Sequence, residues 1–265
     1  MRIDFHTHSK LAKKMPFSQK YTEGILYEAK RAGLDAICLT EHYGGTDLDK
    51  SFEYIIANME RCGDSFVYAN GLKVFLGLEI NAEEGGHFLT IGSAEQIQEI
   101  YHELGIYLQT KEHPTFAKIL EIVKPRPVLF GVSHPFRINS KGNAMPDLPE
   151  EQLKQLDFVD LNGKDVAHDK AGAETKVTAL SERLGIPALA GSDTHQSFQF
   201  GCIYNQFEES FTTIAELREA VGRGAYSIVH GESAVLQVQA ASLIKRTLKE
   251  IHALGGDYVS VYFGD

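Results

Sequence analysis

Cysteine is scarce in this chain: Cys38, Cys62 and Cys202 are scattered, and no CxxC pair is present. The odd count gives no sign of a disulfide framework. Cys38 lies in the apolar run Ala36-Ile37-Cys38-Leu39 and reads as a small core residue. No apolar run is long enough to span a bilayer. Arg2 and Asp4 interrupt the N-terminus where a signal peptide needs apolar residues. A cytoplasmic protein in a reducing compartment, with no membrane partner, is the expectation. Positive charge is also short, with 26 Lys and Arg against 36 Asp and Glu and a formal net charge of -10 at pH 7. That argues against holding nucleic acid by general basic attraction, so no stable nucleic-acid complex is expected. A nucleotide substrate stays open, because bound divalent cations reverse the local field. A Rossmann-type glycine fingerprint, an internal repeat, a low-complexity tract and a clear linker are all missing.

What is present fits a single domain over residues 1–265. The composition, 43% hydrophobic and 23% charged, is ordinary for a folded globular chain with a substantial core. Short apolar runs at 2–6, 35–40, 73–80, 87–92, 128–133, 158–161 and 187–191 read as strands. Helices are predicted at 22–32 (capped by Thr22 and stopped by Gly33), 50–62, 94–103, 114–123, 149–155, 170–184, 213–222 and 236–253. This alternation predicts an α/β fold with a mostly parallel sheet. About seven βα units favour a closed or distorted barrel. The polar, turn-rich segment 139–148 is expected to overhang the barrel mouth.

The strand ends carry the chemistry. In Asp4-Phe5-His6-Thr7-His8, strand alternation points His6 and His8 the same way, with Ile3 and Phe5 on the other face. Two neutral imidazoles on one face suit a shared metal ion. Thr40-Glu41-His42 follows the second strand, Glu79 lies near the end of the third, and His87 opens the next. Ser133-His134-Pro135 and Gly191-Ser192-Asp193-Thr194-His195 end two more. In a parallel barrel such ends share one rim, where active sites are built. His102, His113, His168 and His252 read instead as helix-surface residues. Glu79, between Leu78 and Ile80, needs partners if buried, and a bridging metal is an economical one. Glu41 is expected to orient the His42 ring, and Asp4 to support the first strand. The mixed His and carboxylate set suits Zn, Mn or Fe and offers enough ligands for two ions.

In order, HxH, Thr-Glu-His, Leu-Glu, Gly-His, Ser-His-Pro and Gly-Ser-Asp-Thr-His resemble the PHP (polymerase and histidinol phosphatase) family of metal-dependent phosphoesterases. The segment 207–220 resembles that family's helix-bearing tail. The resemblance implies a distorted seven-stranded, TIM-like βα barrel holding two or three divalent metals. It implies that His6, His8, Glu79 and Asp193 hold one ion, that Glu79 bridges to a second ion on His87 and His134, and that His42 and His195 belong to a third site. One departure stands out. The family usually places an Asp or His shortly after HxH, whereas Ser9-Lys10-Leu11-Ala12-Lys13-Lys14-Met15 offers none. The third site is therefore short of a ligand, with Lys10, Lys13 or Lys14 as sources of positive charge there.

The implied reaction is hydrolysis of a small phosphate ester by a metal-activated hydroxide. His195 or His42 is expected to protonate the leaving oxygen, and Arg137 to act as a phosphate fork. Asn162 and Lys164 follow a strand and are placed at the same rim. An amidohydrolase-type enzyme also begins with HxH, but no middle strand offers its bridging lysine. A non-catalytic metal-binding domain is disfavoured by a nearly complete ligand set.

Overall fold

The computed structural model describes residues 1–138, 145 and 147–264. Eleven strands are present among them: β1 (Arg2–Thr7), β2 (Ala36–His42), β3 (Glu60–Cys62), β4 (Ser65–Val67), β5 (Lys73–Asn81), β6 (His87–Gly92), β7 (Leu129–Ser133), β8 (Phe158–Asn162), β9 (Ala188–Gly191), β10 (Ile203–Phe207) and β11 (Tyr226–His230). Their order in the sheet is β11-β10-β1-β2-β5-β6-β7-β8-β9, with β4 on the edge of β5 and β3 on β4. The ends of the path meet. Thr7 bridges Thr194 in parallel, Asp193 N–H donates to the His6 carbonyl (2.7 Å), and His8 N–H donates to the Thr194 carbonyl (3.0 Å). β1, β2 and β5 to β9 thus form a nearly closed barrel-shaped sheet, the distorted TIM-like barrel that the motifs imply.

The sheet is less parallel than expected. β6 runs antiparallel to both β5 and β7, and β10 and β11 are antiparallel additions on the β1 side. The link 82–86 explains the reversal at β6. It is too short for a crossover helix, and Gly85 and Gly86 supply positive φ values of 103° and 75° for a tight turn.

Local chemistry shifts two helix boundaries. The first helix spans Gln19–Arg31, because Ser18 rather than Thr22 caps it by accepting from the Tyr21 N–H. The second ends at Asn58, where Met59 turns extended and Glu60–Cys62 enters a hairpin with Ser65–Val67. The helix 170–184 and strand 87–92 fall where the sequence places them. Of the polar segment 139–148, only Met145, Asp147 and Leu148 lie within the described residues, so its expected position over the mouth lies largely outside them.

Two apolar layers hold the barrel. Ile3, Phe5, Phe75, Leu89, Phe158 and Leu189 fill its floor. Outward-facing Ile37, Leu76, Phe88, Val132 and Val159 pack under the helices. β1 carries one extra residue against β2 between Asp4 and Thr7. This bulge corrects strict alternation: Phe5 joins the floor while His6 also turns inward above it.

Candidate metal centre

Strand β6 explains how a residue at the start of a strand reaches a rim made of strand ends. Because β6 is reversed, His87 lies opposite Asn81 on β5 and Ser133 on β7. The rim then gathers His6, His8, His42, Glu79, His87, His134, Asp193 and His195. Their metal-capable atoms fall into three groups, each within 4.8 Å: His6, His8 and Asp193; Glu79, His87 and His134; and His8, His42 and His195.

Glu79 is the hub. Its Oε1 lies 2.7 Å from His87 Nδ1 and 3.2 Å from His134 Nε2. Its Oε2 lies 2.7 Å from His42 Nδ1 and 3.5 Å from the Nε2 atoms of both His6 and His8. Asp193 Oδ1 faces the same two rings at 3.8 and 3.5 Å, and His195 Nε2 at 3.7 Å. The rings of His8 and His195 stack with centroids 4.1 Å apart.

The backbone is bent to deliver two of these groups. His134 and Asp193 have φ of 28° and 53°, a region that side chains other than glycine seldom occupy. Such strain persists where surrounding contacts fix it. Here Asp160 Oδ2 accepts from the His134 N–H at 3.0 Å, and the Asp193 N–H is tied to β1. Gly191, just before this turn, has no room for a side chain: a Cβ there would sit 2.4 Å from the His6 Cβ.

Burial and charge act against each other across the site. Burial alone would raise Glu79, but His42, His87 and His6 hold it well below the usual carboxylate range. Asp193 is likewise held down against burial by Lys164, His8, His6 and Arg137. Burial lowers His42 to about 4, and it lowers His195 and His134 with help from neighbouring cations, which favours the neutral, ligand form of these rings. His6 goes the other way. Burial opposes its charge, yet Glu79, Asp160 and Asp193 raise it to about 10, so the carboxylates favour a cation at this spot.

The residues fit divalent metal ions. Glu79 Oε2 and His42 Nδ1 are buried without a hydrogen-bond partner among the described residues. His42 Nδ1 and Glu79 Oε2 approach closely but are not aligned as donor and acceptor. Buried polar atoms left in this way are costly unless something else binds them, and an ion between them does so.

Supporting residues complete the rim. Asp160, which no motif singled out, lies 3.4 Å from His6 Nδ1 and accepts from Asn162 Nδ2 at 3.0 Å. Its position, two residues before Asn162 on β8, was the available signal. Arg137 donates to Asp193 Oδ2 (2.6 Å), to Asp165 Oδ1 (2.8 Å) and to Asn162. Lys164 Nζ also donates to Asp193 Oδ2, at 2.9 Å. Asp4 fixes the seam by accepting from the Ser192 and His6 N–H groups, and burial pushes its carboxyl up to about 7.

Glu41 departs from the expectation. It accepts from Ser9 N–H and Oγ (2.6 and 2.7 Å) and faces His8 at 3.8 Å, not His42, because adjacent strand residues point to opposite faces. In the segment expected to lack a ligand, the Lys10 carbonyl accepts from His195 Nδ1 at 2.8 Å, and Lys13 Nζ donates to Asn81. His102, His168 and His252 are exposed on helices, whereas His113 is exposed in a connection between two helices.

A family model described as PHP-associated matches residues 173–226, which include the segment 207–220. No curated protein matches the chain. Among solved structures, PsfC from Pseudomonas syringae is similar at 20% identity and a TM-score of 0.71, over 93% of this chain and 98% of that one. Endonuclease Q from Pyrococcus furiosus is similar at 21% identity and a TM-score of 0.60, over 86% of this chain, which spans only 57% of that protein's length. A protein from Bifidobacterium adolescentis, provisionally classed as a metal-dependent phosphoesterase, is similar at 15% identity and a TM-score of 0.50, over 82% and 94% of the two chains. These identities show a shared fold. The chain is thus similar in fold to these proteins, and its segment 173–226 is similar to the PHP-associated model.

Proposed function

We propose that this protein is a metal-dependent phosphoesterase that hydrolyses a small phosphate ester, a phosphomonoester or a nucleotide phosphodiester. One observation carries the reading: Glu79 divides its two oxygens between the His87–His134 pair and the His6–His8–His42 side, as a carboxylate bridging two cations does. Paired Zn, Mn or Fe ions, when bound, supply an acidified water and neutralise phosphate oxygens.

The chain's own residues do the rest. His6, His8, Glu79 and Asp193 would hold one ion, and Glu79, His87 and His134 would hold the other. Asp160 fixes the His6 ring by accepting from it. Arg137 carries five N–H donors. Three are engaged by Asp193, Asp165 and Asn162, which leaves two for a phosphate oxygen in the cleft that Arg137 lines. His195 donates its Nδ1–H to the Lys10 carbonyl, which leaves Nε2 to face the reacting groups. His42 and His195 flank His8 as neutral rings, and their bare nitrogens would hold a third, weaker ion beside the departing alkoxide. That third group contains imidazoles only, since segment 9–15 adds no carboxylate.

The cleft supports a small substrate. The part of it that the metal-capable residues line is about 190 Å³, enough for a phosphate group. The test combines elemental analysis with a panel of phosphomonoesters and phosphodiesters in added Mn or Zn. Metal-dependent turnover is expected, with both turnover and metal content lost in Asp193→Asn. Absence of any phosphoester cleavage, together with unchanged metal content in Asp193→Asn, refutes the proposal.

A further inference from the structure

The cleft has a cationic wall, of which Arg137 and Lys164 already pair with Asp193. Arg137, Lys164 and Lys245 line it together with Glu79, His134 and Asp193. Lys245 belongs to no ligand motif. It lies on the helix Ala234–Ala253, which packs against the short helix Gly163–His168 that carries Lys164. Two lysines from separate elements are thereby brought to one side of the same cleft.

The two ammonium groups differ in their partners. Lys164 spends one of its three donors on Asp193 Oδ2. Lys245 is half-buried and has no carboxylate in ion-pairing reach among the described residues. Burial and the neighbouring Lys164 lower its ammonium to about 7, so the fold holds this cation at a cost. A structural lysine would extend its ammonium to water along the helix surface, as long charged side chains ordinarily do. An unpaired one turned into a cleft gains its counter-charge from what enters the cleft.

A second cavity, of about 530 Å³, opens beside the first and shares Arg137 and Lys164 with it. It is lined by Phe136, Leu161 and Val177 as well as polar groups, so it has room for an organic leaving group. Arg137 and Lys164 therefore stand where the two cavities adjoin, and Lys245 lies beside Lys164 in the first.

We infer that Lys164 and Lys245 form a second anion subsite, so that the substrate is a small phosphate ester bearing a further acidic group, with Lys245 its specificity-determining residue. This rests on the phosphoesterase reading. The acidic group is a carboxylate or a second phosphate, which offer the same oxygen acceptors to an ammonium.

The test uses the full-length, Mn-loaded protein and Lys245→Met, with Lys245→Arg as the conservative variant. Substrates are 4-nitrophenyl phosphate, 3-phosphoglycerate, fructose 1,6-bisphosphate and a short single-stranded oligonucleotide. Calorimetry with inorganic phosphate and pyrophosphate measures anion binding independently of turnover. The expected result is that Lys245→Met raises KM for an ester with a second acidic group about tenfold relative to KM for 4-nitrophenyl phosphate. Its kcat should change little, and Lys245→Arg should restore the ratio. The carboxylate and bisphosphate esters show which acid is preferred. Equal effects on all esters, or none, overturn the inference, and so does a Lys245-dependent KM confined to the oligonucleotide. If no ester is turned over, the phosphoesterase reading fails by itself. The subsite is then judged on pyrophosphate binding, which Lys245→Met must weaken and phosphate binding must not follow.

Discussion

Asp160 decides the orientation of His6, and its removal separates ligand positioning from ligation. The carboxylate touches the His6 ring, the His134 N–H and Asn162, so Asp160→Ala releases one ligand ring and one strained ligand backbone together. Loss of a partner of this kind costs about 10–100-fold in metal affinity. A competitive metal titration, with circular dichroism to confirm the fold, should return that loss. An unchanged affinity would show that His6 is held by packing alone. At this scale much of the site was legible, because His and carboxylate residues at strand ends stand out against apolar runs. Asp160 was missed because Phe158-Val159-Asp160-Leu161-Asn162 reads as an apolar strand, and only its register relative to Asn162 shows that it faces the ligands. Lys245 gave no signal, since a lysine on an amphipathic helix is ordinarily a solvated residue. Glu41 faces His8 and not the adjacent His42, because neighbours along a strand lie on opposite faces.

The elements matter most at the seam between β9 and β1, where few ladder bonds close the barrel. Asn205 on β10 stitches this seam. It accepts from the Ala190 N–H (2.9 Å) and donates to the carbonyls of Ala190 (2.8 Å) and Ile3 (3.2 Å). Asn205→Ala strands these buried groups and should cost about 2–4 kcal/mol, read as a lower denaturation midpoint with an unchanged m-value. Gly191→Ala attacks the same seam from within. Its Cβ would press on the His6 Cβ and on Asp160 Oδ1, so a loss of about 1–3 kcal/mol is expected together with weaker metal binding. If stability falls and metal affinity does not, the seam and the site are uncoupled. The periodicity of the sequence placed most βα units. It did not show the reversal of β6, which depends on a turn too short for a helix, nor β10 and β11. In β10, Ile203-Tyr204-Asn205-Gln206-Phe207 interleaves polar residues because only alternate positions are buried, and the stretch lacks the continuous apolar run that marked the other strands.

For the whole molecule, metal ions bound at the proposed centre would link to the fold through the rim. A ligand that binds only the folded state stabilises it, by about 2.7 kcal/mol at a free concentration of 100 times Kd. Added Mn or Zn should therefore raise Tm, and a chelator should reverse the rise. The increase should vanish in Glu79→Ala, because both ligand groups meet at that carboxylate. The most direct test of the account is anomalous diffraction from crystals grown with Mn or Zn. It predicts two strong peaks per chain, one by His6, His8 and Asp193 and the other by His87 and His134, with Glu79 bound to both. Any third peak, beside His42 and His195, should be weak. Peaks that leave Glu79 unbound, or no peaks at the rim, would contradict it.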